Sequence, residues 1–555
     1  MDNETDMSMD ASGWSTRLTD ELIGQYTRSG AWRGLTTERL ARQRADEVPE
    51  RIAIVDGERR LSYAGLLREA ERIACGLRDA GLVPGDVVSF QLPNWWEAVA
   101  INLAAALGGW VINPIVSIYR DAEVGFILDD SRARAIFVPE RFRSIDYDAM
   151  LERILAGIAQ PLLVVTVRGE SSGRNAFEEL GVGAAPWRPC QVSPDAVKLL
   201  LYTSGTTGRP KGVLHSHNTL MAELDAVSRF WDVTADDVVF MPSPVTHITG
   251  YTYALEYVFV AGVRVVLMDR WDAGAALALV RAEGGTLTVA ATPFLAELAD
   301  AVERSGVGLP SLRIFASGGA PVPPELARRA ARLMPGCVVC RVYGSSETPT
   351  VTLGIRAQEA RERGAATDGQ VVNNEVRIVD PATGAALPSG ASGEILVRGP
   401  EVMLGYLRPQ DNAEAFDADG YFRTGDLGCL SADGFITVTG RKKDLIIRGG
   451  ENLSPKEIED VIHAHRDVLE AAVVAMPHAR LGETPCAYVV LRPGAGMTLD
   501  SLSRHLEQAG LARQKFPERL FMVEAMPKTA SGKILKHELR ARAAQAGAAP
   551  ETAAS

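Results

Sequence analysis

The chain has 555 residues, too many for one compact core, and its 46% hydrophobic and 23% charged residues are those of an ordinary globular protein of several domains. A net charge of −12 argues against a nucleic-acid binder, although a few local donors suffice to hold an anionic ligand. Six scattered cysteines are too few for a disulfide framework and fit a reducing compartment.

Residues 1–15 are acidic and polar, and with the terminal residues 546–555 they read as disordered tails. The N-terminus lacks the basic and apolar regions of a signal peptide, and no run of about eighteen apolar residues marks a membrane helix. A cytoplasmic protein without membrane or nucleic-acid partners is expected. Ser62 then reads as an N-cap, with Leu66, Ala70, Ile73 and Leu77 at helical spacing and Gly81 past the end. Pro84-Gly85-Asp86 turns the chain into a strand at 87–92, and an apolar helix follows from about 95 to 107. The same rhythm recurs in buried strands at 263–267, 286–291, 312–316 and 338–342, with helical patterns at 276–282 and 295–303. Cys337 and Cys340 fall in the last of these apolar runs and read as strand residues, not as a metal or redox pair.

After about residue 370 turn residues multiply and short alternating strands appear at 375–379, 393–398 and 435–439. Residues 441–444 read as a linker. Beyond it Ser454, Pro455 and Glu457 form a capping-box pattern, followed by Ile458, Val461 and Ile462 on one helical face. The expected fold is α/β. A large N-terminal domain (16–440) has two covered sheets plus a twisted β-subdomain, and a small α/β domain (445–545) follows the linker.

The most informative stretch runs from Leu201 to Gly212, Leu-Tyr-Thr-Ser-Gly-Thr-Thr-Gly-Arg-Pro-Lys-Gly. Gly205 and Gly208 allow close backbone approach, the hydroxyls of Thr203, Ser204, Thr206 and Thr207 suit phosphate oxygens, and Lys211 adds a cation. The spacing is not that of a Walker loop.

This loop resembles the signature of the adenylate-forming superfamily: acyl- and aryl-CoA synthetases, carrier-protein adenylation domains and beetle luciferases. Four further elements resemble it in the same order: Tyr343-Gly344-Ser345-Ser346-Glu347, Tyr421-Phe422-Arg423-Thr424-Gly425-Asp426, Gly440-Arg441-Lys442-Lys443-Asp444, and Pro527-Lys528-Thr529-Ala530-Ser531-Gly532-Lys533. The resemblance implies ATP, Mg²⁺ and coenzyme A, with two steps: acyl-AMP formation, then transfer of the acyl group to a thiol.

It also implies roles. Attack of a carboxylate on the α-phosphorus brings anions together, so the site needs cations in place beforehand. Lys533 is the implied cation between carboxylate and phosphate, and Glu347 the implied Mg²⁺ ligand. Tyr343 would stack on adenine beside the small-residue loop Gly318, Gly319, Ala320 and Pro321. Ser346 keeps a hydroxyl where the family usually has Thr. Asp426 would accept the ribose hydroxyls and Arg441 would contact ribose or phosphate. Lys443 matches the hinge about which the C-terminal domain rotates, and Gly449 and Gly450 match the segment that meets pantetheine. A plain Gly–Gly turn is the other reading of that pair.

The stretch from Met241 to Tyr251 occupies the acyl-side motif and resembles alicyclic-acid ligases such as cyclohexanecarboxylate–CoA ligase. His247 resembles an aromatic gate, with Thr249, Tyr251, Gly318 and Val342 as neighbours of the acid. No Asp is available there for a substrate ammonium, and Val342 would shorten the pocket. A compact apolar acid is expected, alicyclic or of short to medium chain. CoA is the simpler acceptor and a carrier protein the alternative; a homodimer is left open.

Overall fold

The computed structural model describes residues 8–169, 175–203, 209–528 and 533–547. Two largely parallel sheets face each other across one large core. The first has eight strands in the order Asn175–Ala176, Leu163–Val167, Ala133–Pro139, Val87–Phe90, Val111–Pro114, Val197–Thr203, Lys211–Ser216, Gly405–Tyr406. The second has seven: Val338–Arg341, Ile314–Ser317, Leu287–Ala290, Val238–Met241, Arg264–Leu267, Ile52–Asp56, Arg59–Ser62.

Alternation along each strand explains why both faces are apolar. Val239 and Met241 point into the shared core, whereas Val238 and Phe240 point outward under the helices Ala273–Glu283, Thr292–Ser305 and Pro324–Leu333. Cys340 lies in the first core and Cys337 in the second, both as free thiols. The helix Trp96–Gly108 is buried on all sides, as its apolar composition requires. The expected cap at Ser62 forms: its hydroxyl accepts from the Gly65 N–H at 3.2 Å, and the helix runs Tyr63–Asp79.

A four-stranded antiparallel sheet follows, Glu375–Val379, Ser392–Arg398, Phe422–Leu430 and Ile436–Arg441. The turn Lys442–Asp444 leads into a five-stranded C-terminal sheet with apolar clusters of its own.

Three local expectations are corrected. Residues 8–15 are not a disordered tail: Ser8–Met9 pairs with Ser15–Thr16, and Asp10 accepts from the Val197 N–H at 3.1 Å. Residues 546–547 belong to the last helix, Lys536–Gly547. The capping box at Ser454 does not form, because the Ser454 hydroxyl donates to the Thr439 carbonyl across the Lys442–Asp444 turn and Glu457 pairs with Lys515 at 2.5 Å.

Candidate active site

Parallel strands deliver their carboxyl ends to one edge, the usual place for a ligand in such sheets. Thr203, Met241, Ser317 and Arg341 each close a strand, and the loops after them carry the residues singled out in the sequence.

The glycine-rich loop is closed at its base. Thr203 and Lys211 are paired across antiparallel strands, and the Thr203 hydroxyl donates to the Lys211 carbonyl at 3.5 Å. Ser204, Gly205, Thr206, Thr207 and Gly208 lie outside the described residues. Lys211 pairs with Asp411 at 3.3 Å.

The next corner is built around Asp426. Tyr343 is held by its backbone: its N–H donates to the Thr352 hydroxyl at 2.9 Å, and its carbonyl accepts from the Val351 and Thr352 N–H groups. Its hydroxyl donates to Asp426 Oδ2 at 2.8 Å, while Arg441 Nε donates to Asp426 Oδ1 at 2.8 Å. Each carboxylate oxygen therefore keeps one acceptor site for a further hydroxyl. Burial raises the Tyr343 phenol, so it remains a donor. Only glycine fits at Gly344, where a Cβ would meet the Pro349 carbonyl at 2.0 Å. The Ser345 hydroxyl accepts from the Glu347 N–H at 3.2 Å, and the Ser346 carbonyl accepts from His215 Nε2 at 2.7 Å. The Glu347 carbonyl accepts from the Met403 N–H at 2.8 Å. Its carboxylate accepts from the Tyr406 hydroxyl at 2.9 Å, and the Lys211 ammonium lies 4.8 Å from the centre of that same ring.

Lys533 is partly buried in the same neighbourhood. Burial, then Arg441 and Lys443, lower its amine to about 8, against the opposing pull of Asp426 and Asp444. Burial and Arg441 also lower Lys443. Gly449 and Gly450 have φ of +60° and +89° and form the exposed two-residue turn between Ile446–Arg448 and Glu451–Leu453. That backbone geometry alone accounts for both glycines.

On the acyl side, His247 precedes a short helical turn that passes into a π-helix, Tyr251–Glu256. Burial lowers its imidazole to about 4, so it is neutral, and its buried Nε2 finds no hydrogen-bond partner among the described residues. Val342 covers Gly318: a Cβ at Gly318 would meet the Val342 carbonyl at 2.5 Å and its side chain at 2.8 Å. Arg341 is turned away and paired with Asp368 at 2.5 Å. Thr249 is partly buried at the mouth of the helical turn. Gly319 and Pro321 are exposed, with Ala320 between them.

Tyr251 stands apart from this group. It is fully buried, and its hydroxyl bonds Lys198 Nζ at 2.7 Å, Asn102 Oδ1 at 2.8 Å and Glu256 Oε1 at 3.1 Å. The π-helix, with its five-residue spacing, sets Tyr251 and Glu256 in line, so the side chain expected beside the acid is committed to a buried ion pair. The sequence reading missed this network, as it missed Tyr406, Thr352 and His215. None of them belongs to a periodic pattern, and each is recognised only by a partner distant in the chain.

Comparison with known proteins decides the family. The family model "AMP-binding enzyme" matches residues 41–407, and "AMP-binding enzyme C-terminal domain" matches 457–533. The chain belongs to the AMP-binding enzyme family. It is an AMP-forming acid–thiol ligase of the acyl-CoA synthetase branch, a family whose substrates are a carboxylic acid, ATP and CoA. Among similar members, the medium-chain fatty-acid–CoA ligase of Escherichia coli (strain K12) is 34% identical over 530 residues, covering 94% of this chain and 93% of the relative. The salicylyl-CoA synthase / salicylate adenylyltransferase of a Streptomyces species is 33% identical over 540 residues, covering 94% and 96%. The crystal structure of ATP-bound MatB from Rhodopseudomonas palustris superposes with a TM-score of 0.83 at 29% identity, covering 92% of this chain and 100% of that one. No described helix of this family member is long and apolar enough to cross a membrane.

Proposed function

We propose that this enzyme activates a compact apolar carboxylic acid, alicyclic or of short to medium chain, as its acyl-adenylate and passes the acyl group to CoA. The observation that carries the reading is Lys533, supplied by the C-terminal domain (445–545) and set beside Asp426 of the N-terminal domain (16–440) and Arg441 of the hinge (441–444). A carboxylate oxygen attacks the α-phosphorus, the bond to pyrophosphate breaks, and negative charge collects where Lys533 offsets it. Asp426 holds the ribose hydroxyls, Tyr343 and the 318–321 loop take the adenine, and Thr203, Lys211 and Arg441 hold phosphate oxygens. Glu347 would hold Mg²⁺, a fit supported by its carboxylate having one oxygen tied to Tyr406 and the other unassigned. That ion would supply neutralising charge to the phosphates.

In the second step Lys533 withdraws about the 441–444 hinge near Lys443. The Gly449–Gly450 turn approaches the pantetheine, whose thiolate attacks the acyl carbon and releases AMP. The exposure of that turn while Lys533 lies beside Asp426 supports assigning this arrangement to the first step.

The acid assignment rests on His247, Thr249, Gly318 and Val342. Val245 and Thr246 are uncharged and His247 is neutral, so the stretch offers no carboxylate to pair with a substrate ammonium. The similarity to a medium-chain ligase supports an apolar acid. A panel of acids assayed by pyrophosphate exchange, then by CoA-thioester mass, tests the proposal. An amino acid or palmitate as the best substrate by kcat/KM would falsify the acid assignment. The second reading is an adenylation enzyme that passes the acyl group to a carrier protein; its adenylation half is supported by a relative named for AMP and not for CoA, the vibriobactin-specific 2,3-dihydroxybenzoate-AMP ligase of Vibrio cholerae, 32% identical over 547 residues. Acyl transfer to a carrier protein in preference to CoA selects it.

A further inference from the structure

Glu347 is gripped twice by one short segment. The Met403 N–H donates to its carbonyl at 2.8 Å, and the Tyr406 hydroxyl donates to its Oε1 at 2.9 Å. That segment is itself immobilised. Arg17 donates to the Met403 carbonyl at 2.7 Å and the Val402 carbonyl at 2.9 Å. The Leu404 N–H reaches the Leu214 carbonyl at 2.8 Å, and the Leu407 N–H reaches the Gly212 carbonyl at 2.7 Å. Tyr406 is 7% exposed, and its ring packs in the β-subdomain core against Val213, Val351 and Met403. The hydroxyl at the end of so constrained a ring has little freedom.

A carboxylate on a mobile Glu side chain spends rotamer entropy each time it takes up a cation. One bond to Oε1 removes much of that freedom and orients Oε2. Mg²⁺ demands near-ideal octahedral placement of its ligands, so a fixed carboxylate suits it. The ring also lies 4.8 Å from the Lys211 ammonium, across the strand pairing of Val213 with Tyr406. One aromatic side chain thus touches both the cation at the end of the glycine-rich loop and the carboxylate of the next motif.

We propose that Tyr406 is a positioning residue for metal binding: its hydroxyl holds Glu347 Oε1 so that Oε2 is presented to Mg²⁺. The inference rests on the assignment of Glu347 as the Mg²⁺ ligand. The sequence motifs single out Glu347 but not Tyr406, which is joined to it only by the fold.

The test is Tyr406→Phe, which keeps the ring and its contact with Lys211 and removes only the hydroxyl. Metal binding is read directly, by electron paramagnetic resonance of Mn²⁺ titrated into the full-length enzyme with a non-hydrolysable ATP analogue. The midpoint is then compared with the Mg²⁺ dependence of pyrophosphate exchange. Loss of a partner that orients a metal ligand weakens binding by about 10-fold or more. The expected result is a metal midpoint raised by about that factor in both measurements, with Tm within a few degrees of the parent. Glu347→Gln runs alongside. If it shifts the midpoint and Tyr406→Phe does not, the positioning role is overturned while the metal assignment stands. If neither shifts it, the metal assignment fails and the inference falls with it. Should the Phe variant not fold, Tyr406→Met fills the apolar site without the hydroxyl, and an unshifted midpoint there is equally decisive against the proposal.

Discussion

Two lysines are withdrawn from solvent in this molecule, and they are kept in opposite company. Lys198 is 2% exposed, and its ammonium meets Asn102 at 2.9 Å, Tyr251 at 2.7 Å and Glu256 at 2.5 Å. Glu256 in turn accepts from Asn102 Nδ2 at 2.7 Å and from Thr37 at 2.7 Å. All three ammonium donors are matched, so nothing is left for a ligand to do. Lys533 lies instead beside two other cations, Arg441 and Lys443, facing Asp426 and Asp444. The first arrangement closes a charge balance inside the core. The second gathers positive charge, and under the proposed function an arriving anion completes it. Burial of a lysine by itself says little about function; the sign of its neighbours says more.

The contrast is open to direct attack. Lys198→Met strands Glu256 in the core and should cost about 3–5 kcal/mol in denaturant unfolding; a loss below 1 kcal/mol would mean the network holds nothing together. Lys533→Ala should leave stability nearly unchanged and slow adenylation by about 10²–10³-fold. Thioester formation from supplied acyl-AMP should be largely spared, and equal loss in both half-reactions would remove the two-posture reading. The pH profile sharpens the same point. Lys533 acts when protonated, so kcat/KM for adenylation should be full below its value of about 8 and fall as pH rises through it. The descent should approach tenfold per pH unit, and a profile that stays level to pH 10 would detach that amine from the rate. Smallest of all, Tyr251→Phe should lower stability by about 1.5–3 kcal/mol and leave the ranking of acids untouched. A reordered ranking would return Tyr251 to the acid's surroundings.

Much of the scaffold is legible from local signals. The cap at Ser62, the alternating strands and the mostly apolar, wholly buried helix Trp96–Gly108 depend on residues within a few positions of one another. The motif residues at 343–347, 426 and 441 are legible as a group, and the fold joins Tyr343, Asp426 and Arg441 by two hydrogen bonds. Signals fail where a side chain has a choice of partner. Ser454 has the sequence of a cap, yet its hydroxyl is taken by Thr439, fifteen positions earlier. Tyr251 has the place of a substrate neighbour, but Lys198 on the strand Val197–Thr203 claims it. Residues 8–15 look too polar to fold by themselves and gain order from the pairing of Ser8–Met9 with Ser15–Thr16 and from Asp10 meeting Val197.

The C-terminal sheet's private apolar clusters have a mechanical consequence. A lobe that buries its own oily residues can swing without wetting them, much as a door hung in its own frame opens without disturbing the wall. The stitch seen across the hinge, from the Ser454 hydroxyl to the Thr439 carbonyl, is a single polar bond worth about 1 kcal/mol. A fastening of that strength is within reach of thermal motion, and in the proposed two-step cycle the substrate in the cleft would time the swing.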